Sequence, residues 1–199
     1  MVRVYEGTSV RQKQIVDAVR KLIIKHGSEH VTVRGIAQEV GFSEAAVYRH
    51  FRSKKEILSL LVDHIENDLI GDINSRSSKE RTPLEALDSI LKSHLSAVKG
   101  RKGISFQVIA EIVSFGDREL NKKASNTIGK YISCIKELLQ KAVQSKQIRE
   151  DVDVEAVAII LFGTIQGLIN IWALSNYRFN PQRKFEPIWN VLRATLVTR

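Results

Sequence analysis

The sequence predicts an all-α protein of about nine helices, with an N-terminal three-helix domain and a helical C-terminal domain. Apolar residues recur every three or four positions through most of the chain, and the alternation typical of β-strands is nearly absent. Three prolines and eleven glycines among 199 residues are too few for the many tight turns of a β-rich protein. A hydrophobic share of 43% at this length is enough for a core that needs no disulfide or metal.

Helix boundaries are indicated by capping residues and by glycines. Two capping-box patterns, at residues 53–56 and 82–85, each mark the start of a helix. The first helix is predicted to end at Gly27, whereas the serine-rich stretch 74–81 and the segment around Pro181 are predicted to be loops. In chain order, the predicted helices lie around residues 15–23, 33–40, 43–51, 54–73, 83–98, 104–115, 117–143, 154–175 and 185–196.

The chain is basic, with 31 Lys and Arg residues against 22 Asp and Glu residues and a net charge of +9. More than half of this excess lies in the first 60 residues. Such a distribution favours a nucleic-acid partner, although solubility alone is an alternative explanation. The single cysteine, Cys134, has no partner for an internal disulfide and no signal peptide is apparent, so we expect a cytoplasmic protein.

Residues 32–51 carry the strongest local pattern, which is two short helices joined at Gly41. Helices of fewer than three turns are unstable alone, so this pair must pack against the first helix. Gly41 can adopt a left-handed conformation without Cβ strain, and Phe42, Val47 and Phe51 are placed to fill a three-helix core. The pattern therefore predicts a helix-turn-helix motif.

The second of these helices has an outer face that suits the major groove of DNA. Ala45 and Ala46 are small enough for close approach and can touch a thymine methyl group, while Arg49 can reach guanine acceptors or a phosphate. Each residue taken singly also fits a solvated helix surface, and Glu44 either accepts from a cytosine amine or points away. The predicted DNA-binding residues are Thr32, Arg34, Ser43, Glu44, Ala45, Ala46, Tyr48, Arg49, His50 and Lys54.

Four stretches of the first 60 residues resemble the motif of one family of regulators. They are residues 32–37, 40–43, 47–51 and 53–58. On these residues the chain resembles the TetR/AcrR family of transcriptional repressors. The resemblance implies that Tyr48, His50 and Lys54 occupy positions that contact the DNA backbone, although tyrosine is commoner than histidine at the second of these.

The same resemblance implies how the chain is organised and what it does. Residues 1–53 would form the helix-turn-helix DNA-binding domain, and residues 54–199 a helical domain for ligand binding and dimerisation. A homodimer would bind a pseudo-palindromic operator in double-stranded DNA as a repressor. A small molecule bound in the second domain would release it.

Residues 156–177 contain no charged side chain, and the apolar stretch 156–174 within them would span about 28 Å as a helix, close to the thickness of a bilayer core. Gly163 and Gly167 also form a G-x-x-x-G pair, which is typical of membrane helix dimers. The alternative, which we favour, is a helix that packs on its own domain with one side and on a second chain with the other. The predicted dimer interface comprises Gly163, Gly167, Trp189 and Leu192.

Apolar and aromatic residues of the C-terminal two thirds are candidates to line a ligand pocket, as such residues do in most small-molecule sites. The same residues fit an ordinary helical core. They favour a lipophilic or aromatic ligand, and Glu111 either pairs with a cationic ligand or lies on a solvent-facing stripe with Gln107. The candidates are Phe106, Ile109, Phe115, Tyr131, Cys134, Phe162, Gln166, Asn170 and Trp172.

Two other classes of function are alternatives to a ligand-responsive repressor. An enzyme is improbable because the chain has no G-x-S-x-G motif, no phosphate-binding loop and no Cys/His cluster. We therefore expect no cofactor and no bound metal. A helix-turn-helix regulator that acts mainly through a protein partner, without a small-molecule inducer, is compatible with the sequence.

Overall fold

The computed structural model describes residues 2–26, 31–77, 80–101 and 103–197, and for residues 2–9, 24, 76, 77, 104 and 106 it describes the backbone alone. The described residues form nine α-helices and one isolated antiparallel bridge, between Ile148 and Val197. The all-α prediction is confirmed. The helices are α1 (Val2–His26), α2 (Val33–Val40), α3 (Glu44–Tyr48), α4 (Lys54–Ser77), α5 (Pro83–Gly100), α6 (Ile104–Phe115), α7 (Arg118–Gln144), α8 (Val154–Leu174) and α9 (Pro181–Leu196).

Several helices begin at the caps that the sequence indicates. At α5, the Thr82 hydroxyl accepts from the Glu85 amide at 3.2 Å and the Glu85 carboxylate accepts from the Thr82 amide at 3.1 Å. At α8, the Asp153 carboxylate accepts from the amides of Glu155 and Ala156 at 3.0 and 3.1 Å. These contacts satisfy amides that have no acceptor inside the helix, which fixes where each helix starts.

The capping box predicted at residues 53–56 is only partly formed. The Glu56 amide donates to the Ser53 hydroxyl at 3.3 Å, as predicted, but the Glu56 carboxylate accepts from the Arg52 amide at 2.8 Å. The carboxylate therefore reaches one residue further back than a capping box requires. The predicted end of the first helix, Gly27, lies outside the described residues.

Three predicted boundaries are wrong. The loop predicted at 74–81 is helical in its first four residues, because α4 continues to Ser77 and buried Ile73 holds its last turns against the core. Pro181 is the first residue of α9 and not part of a loop. Proline is tolerated there because an amide at that position has no intrahelical acceptor. The second short helix, α3, ends at Tyr48, three residues earlier than predicted.

The chain divides into two compact units. Unit 1 comprises Met1–Ile65 and Ile104–Ser125, and unit 2 comprises Glu66–Gly103 and Asn126–Arg199. This division differs from the predicted one between residues 53 and 54, because the first half of α4 and all of α6 cluster with the helix-turn-helix. Within unit 1, α1 packs against α2 and α6, and α2 packs against α3. The core of unit 1 includes the fully buried side chains of Ile15, Val19, Ile36, Val47 and Leu58.

Unit 2 has a larger apolar core, in which α9 packs against both α5 and α8. Its buried side chains include Leu87, Leu91, Ile135, Ile165 and Trp189. By length and composition, α8 is the one helix in the described part of the chain that could cross a membrane, but core helices pass the same test. Its side chains divide into a buried face and an uncovered face, and on the latter Ile171 is 60% and Leu174 is 85% exposed.

Candidate DNA-binding site

The turn between α2 and α3 is fixed by local hydrogen bonds. The Thr32 hydroxyl accepts from the Gly35 amide at 3.0 Å and so caps the start of α2. Gly41 has a φ of 75°, and its amide points back to the carbonyls of the last turn of α2. The Phe42 amide donates to the Ala37 carbonyl at 2.8 Å. A side chain at Gly41 would be strained in this left-handed conformation, which is why the turn requires glycine.

The position of α3 follows from its two ends and its buried side. The Ser43 hydroxyl accepts from the Ala46 amide at 3.2 Å. Val47 is fully buried, and Phe51 follows it into the core. The Arg11 guanidinium of α1 lies 5.0 Å from the ring centroid of Phe42, a cation–π contact that joins α1 to the turn. Because α3 has barely more than one turn, these contacts and not its own helix propensity hold it.

The opposite side of α3 faces solvent. Ala45 and Arg49 are exposed, and Tyr48 is 51% exposed although it is a large aromatic side chain. Small residues flanked by a cation and a phenol hydroxyl form a surface that fits the major groove and its phosphates. The remaining predicted residues divide into exposed Thr32, Arg34, Ser43 and Glu44 and half-buried Ala46 and His50.

His50 is only half-buried, but its Nδ1 atom is inaccessible and has no hydrogen-bond partner in the described part of the chain. An unpaired buried nitrogen is costly unless another group satisfies it. The resemblance assigns His50 to the DNA backbone, and this assignment stays a prediction.

Lys54, the predicted phosphate clamp, is engaged inside unit 1. Its Nζ atom lies 2.6 Å from the Glu111 Oε1 atom, and the two side chains are 28% and 13% exposed. Glu111 therefore does not lie on a solvent-facing stripe, and that expectation is wrong. The alternative expectation, a pair with a cationic ligand, stays a prediction, and in this structure Lys54 supplies the cation. The two residues are 57 positions apart, so no local pattern pairs them. A lone acid in an apolar helix was the only signal that Glu111 needs a partner.

Further ion pairs join α4 to α7 within unit 1. Lys55 Nζ lies 2.6 Å from Glu119 and 2.9 Å from Asp117, and these two carboxylates raise the pKa of Lys55. Lys55 in turn lowers the pKa of Asp117, whose carboxylate also accepts from the Leu120 amide at 2.9 Å. Sequence reasoning missed all of these contacts. A signal existed, because two lysines at a helix N-terminus oppose the helix dipole and call for nearby carboxylates.

The predicted pocket residues are divided between the two compact units. Ile109 and Phe115 lie on α6 in unit 1, where Phe115 is 44% exposed. In unit 2, Tyr131 is buried and its ring centroid lies 6.1 Å from that of Phe162. Buried Trp172 contacts Tyr177 instead, at 4.8 Å between centroids. Cys134, Gln166 and Asn170 are half-buried, and the Phe106 side chain lies outside the described residues.

His94 of α5 is a polar residue of unit 2 that sequence reasoning did not place at any site. Its Nδ1 atom lies 2.7 Å from the Tyr131 hydroxyl, and the two rings meet edge to face. Burial lowers the pKa of His94 to about 4 and raises that of Tyr131. The signal was present, since His94 lies on the same helical stripe as buried Leu87, Leu91 and Val98.

The predicted interface residues differ in exposure. Gly163 is exposed, Gly167 and Leu192 are half-buried, and Trp189 is 1% exposed because it belongs to the core of unit 2. The side chain of Trp189 therefore cannot contact a second chain in this conformation. The prediction also missed the large apolar residues of α8 and α9 that are uncovered, which are Ile159, Ile160, Ile171, Leu174, Ile188 and Val191.

Comparison with known proteins agrees with this geometry. The family model described as bacterial regulatory proteins of the tetR family matches residues 15–61, which include α2, α3 and the start of α4. The model described as the C-terminal region of YsiA-like proteins matches residues 59–195. Together the two models span nearly the whole described chain.

Solved structures share the fold of this chain, and sequence relatives match it over nearly its whole length. The nucleoid occlusion factor SlmA of Vibrio vulnificus is 27% identical over 193 residues, which cover 94% of this chain and 96% of the relative. The transcriptional regulator FadR of Bacillus subtilis, solved with stearoyl-CoA, has a TM-score of 0.81 at 22% identity and covers 92% of this chain and 98% of its own. Thermus thermophilus FadR, solved with lauroyl-CoA, has a TM-score of 0.68 at 16% identity, with coverage of 94% and 96%.

The resemblance stated from the sequence is therefore confirmed. The matched family is one of regulatory proteins, which supports a regulator over the enzyme alternative. The matched N-terminal model covers the same residues whose caps, glycine turn and exposed face are described above. The chain is a DNA-binding regulator and belongs to the tetR family of bacterial regulatory proteins.

Proposed function

We propose that the protein is a ligand-responsive repressor that binds a pseudo-palindromic operator as a homodimer and is released by a lipophilic small molecule. The observation that carries this proposal is the exposed face of α3, where Ala45, Tyr48 and Arg49 stand beside a turn fixed by Gly41. In a helix-turn-helix protein such a face enters the major groove. Its location would be the cytoplasm, where the DNA is.

The uncovered face of α8 supports the homodimer. Ile159 and Ile160 are 54% and 47% exposed. Apart from the neighbouring backbone of α8 itself, no atom in the described part of the chain lies within 4 Å of a Cβ placed on Gly163 or Gly167. The described residues therefore leave open space over these glycines, and a second chain could approach closely there. A two-fold dimer places its recognition helices in successive major grooves, about 34–36 Å apart.

The acyl-CoA complexes of the two FadR proteins support a lipophilic ligand. In this chain, the ring contact of buried Tyr131 with half-buried Phe162 supplies an apolar environment, and His94 beside Tyr131 supplies a polar atom. Most small-molecule sites combine such an apolar lining with few polar groups. We therefore propose a long-chain acyl-CoA, or a molecule of similar chemistry, as the inducer.

The test begins with selection of bound duplexes from a random pool, which gives the operator half-site, its symmetry and its spacing. Fluorescence anisotropy then measures operator affinity with saturating stearoyl-CoA, lauroyl-CoA or unacylated CoA. Coupling between ligand and DNA sites is typically about 5–150-fold, and we expect a loss in this range with an acyl-CoA and none with CoA. Arg49→Ala, which removes the exposed cation, shows the level of non-specific binding.

Two results would count against the proposal. Unchanged operator affinity with both acyl-CoA compounds excludes them as inducers, and binding without a defined two-fold site excludes the dimeric operator complex. By linkage, DNA must also weaken acyl-CoA binding by the same factor that the ligand weakens DNA binding. Equal factors therefore check that both titrations were made at equilibrium.

A second candidate function is regulation mainly through a protein partner, with DNA as the anchor. The relative from Vibrio vulnificus favours it, because its name is that of a nucleoid occlusion factor. Transcription from an operator-bearing template with purified polymerase separates the candidates. Repression by the protein alone supports the first, and operator binding without repression supports the second.

A further inference from the structure

The first turn of α4 carries two adjacent cations, Lys54 and Lys55, at an end of the helix that favours negative charge. Both ammonium groups are met by carboxylates of unit 1, Lys54 by Glu111 and Lys55 by Asp117 and Glu119. These carboxylates balance the positive charge of the two lysines and of the helix N-terminus. A DNA phosphate is also an anion, and anions of this type bind at helix N-termini.

The Lys54–Glu111 pair differs from its neighbour in burial. Glu111 is 13% exposed, and its helix neighbours Val108 and Ile112 are fully buried, whereas Glu119 is 85% exposed. Water and salt therefore screen the charge of Glu119 much more than that of Glu111. At 2.6 Å between Nζ and Oε1, Glu111 also occupies one of the three donor directions of the ammonium.

We propose that Glu111 competes with the DNA backbone for Lys54 and thereby holds the DNA affinity of the protein below the level that its basic surface would otherwise give. This inference rests on the phosphate contact of Lys54 that belongs to the proposed function. It adds an acidic residue of α6 to the determinants of DNA affinity, although that residue lies outside the helix-turn-helix.

The direction of the effect follows from charge. A phosphate oxygen that accepts from Lys54 Nζ lies within a few ångströms of the Glu111 carboxylate, because both groups bind the same ammonium. Like charges that close repel each other, and the repulsion is strong where solvent is excluded. DNA binding must either break the ion pair or accept this repulsion, and either requirement weakens the complex.

The test is Glu111→Gln, which removes the charge and keeps the shape of the side chain. Binding to the selected operator is measured by anisotropy across a series of salt concentrations. We expect affinity to rise about tenfold at moderate salt, since a like charge opposite the phosphate has been removed. The slope of log affinity against log salt should steepen by up to about one unit per protomer, because Lys54 then neutralises a phosphate fully.

The matched control is Glu155→Gln in unit 2. Glu155 forms an ion pair of the same length, 2.6 Å, with Lys136, so the control makes the same change in net charge in the unit that does not contain the helix-turn-helix. Glu155→Gln should leave both affinity and salt slope unchanged. In a Lys54→Met background, Glu111→Gln should also have no effect, because the cation for which the two groups compete is absent.

Each other outcome has a distinct meaning. Weaker binding or a flatter slope in Glu111→Gln overturns the proposal, since Glu111 would then position Lys54 for the phosphate. An effect equal to that of Glu155→Gln also overturns it. Wild-type affinity in Lys54→Met would instead show that the proposed phosphate contact itself is wrong. Circular dichroism verifies folding, and Glu111→Ala, a second neutral variant, repeats the test if the glutamine variant does not fold.

Discussion

The exposed face of α3 and the buried centre of unit 2, which consists of His94 and Tyr131, present their functional groups in opposite ways. On α3, Tyr48 and Arg49 extend into solvent, and capping contacts elsewhere hold the backbone. In unit 2, His94 and Tyr131 are buried and bond to each other. Exposed groups can therefore be changed with little effect on folding, whereas each change at the buried centre alters stability together with any ligand binding.

Trp189→Ala should have the largest effect on the stability of unit 2. The side chain is 1% exposed, and replacing a buried tryptophan with alanine costs about 3–5 kcal/mol of unfolding free energy. Urea unfolding of the variant and of the native protein measures this loss. The result distinguishes a core residue from an interface residue, because Trp189 was predicted from the sequence to lie at a dimer interface and the structure places it in the core.

Val191→Ala is the control on the same helix, since Val191 is 67% exposed. A surface substitution of this kind changes stability by about 0.5 kcal/mol or less in a single chain. If Val191 lies in the proposed interface, its effect should appear as a weaker dimer in sedimentation. A smaller loss for Trp189→Ala than for Val191→Ala would contradict the assignment of these residues to core and surface.

The stability of unit 2 should depend on pH through His94. Burial lowers its pKa to about 4 in the folded protein, against 6.5 in an unfolded chain, so the unfolded state binds more protons between these values. The contribution of the neutral imidazole is complete above pH 6.5 and is lost progressively as the pH falls to 4. The total loss from this group is about 3 kcal/mol, and it does not grow further below pH 4.

The measurement is the unfolding free energy of the native protein and of His94→Gln at several pH values from 7 to 4. Carboxylates contribute to both curves, so the difference between the curves isolates the imidazole. The variant should lose less stability over this range than the native protein. Parallel curves of unfolding free energy against pH would show that His94 is solvated in the folded state. The contrast between exposed groups on α3 and buried groups in unit 2 would then be wrong for His94.

Local chemistry explains why the helix-turn-helix was predicted from the sequence. Thr32, Gly41 and Ser43 each act within four residues of their own position, through a cap or a left-handed turn. Such contacts are encoded in short patterns. The bounds of α2 and α6 were predicted to the residue, and α6 lies between two glycines in the left-handed conformation, Gly103 and Gly116.

Contacts between distant residues explain what could not be predicted. The partner of Lys54 is 57 positions away, and Lys123, which binds Asp63 and Ser59, is 60 and 64 positions from them. A sequence shows that a lysine needs a counter-charge but not which acid the fold brings to it. The sequence also does not show which apolar residues of a helix are buried. The apolar stripe predicted on α9 contains both buried Trp189 and exposed Ile188.

Two helix caps, one in each region, allow the comparison to be tested with a small and matched change. Ser43 caps α3 through the Ala46 amide, and Thr82 caps α5 through the Glu85 amide. Ser43→Ala and Thr82→Ala should each lower the unfolding free energy by about 1 kcal/mol, since each leaves one amide without its acceptor.

Only the first of these variants should also weaken operator binding, because the hydroxyl it removes fixes the orientation of the exposed face of α3. Anisotropy with the selected operator should thus show reduced affinity for Ser43→Ala and native affinity for Thr82→Ala at equal loss of stability. Equal affinities would mean that the groove orients α3 regardless of its cap. In that case the exposed face would be shaped by DNA on binding, and the preorganised turn around Gly41 would not account for recognition.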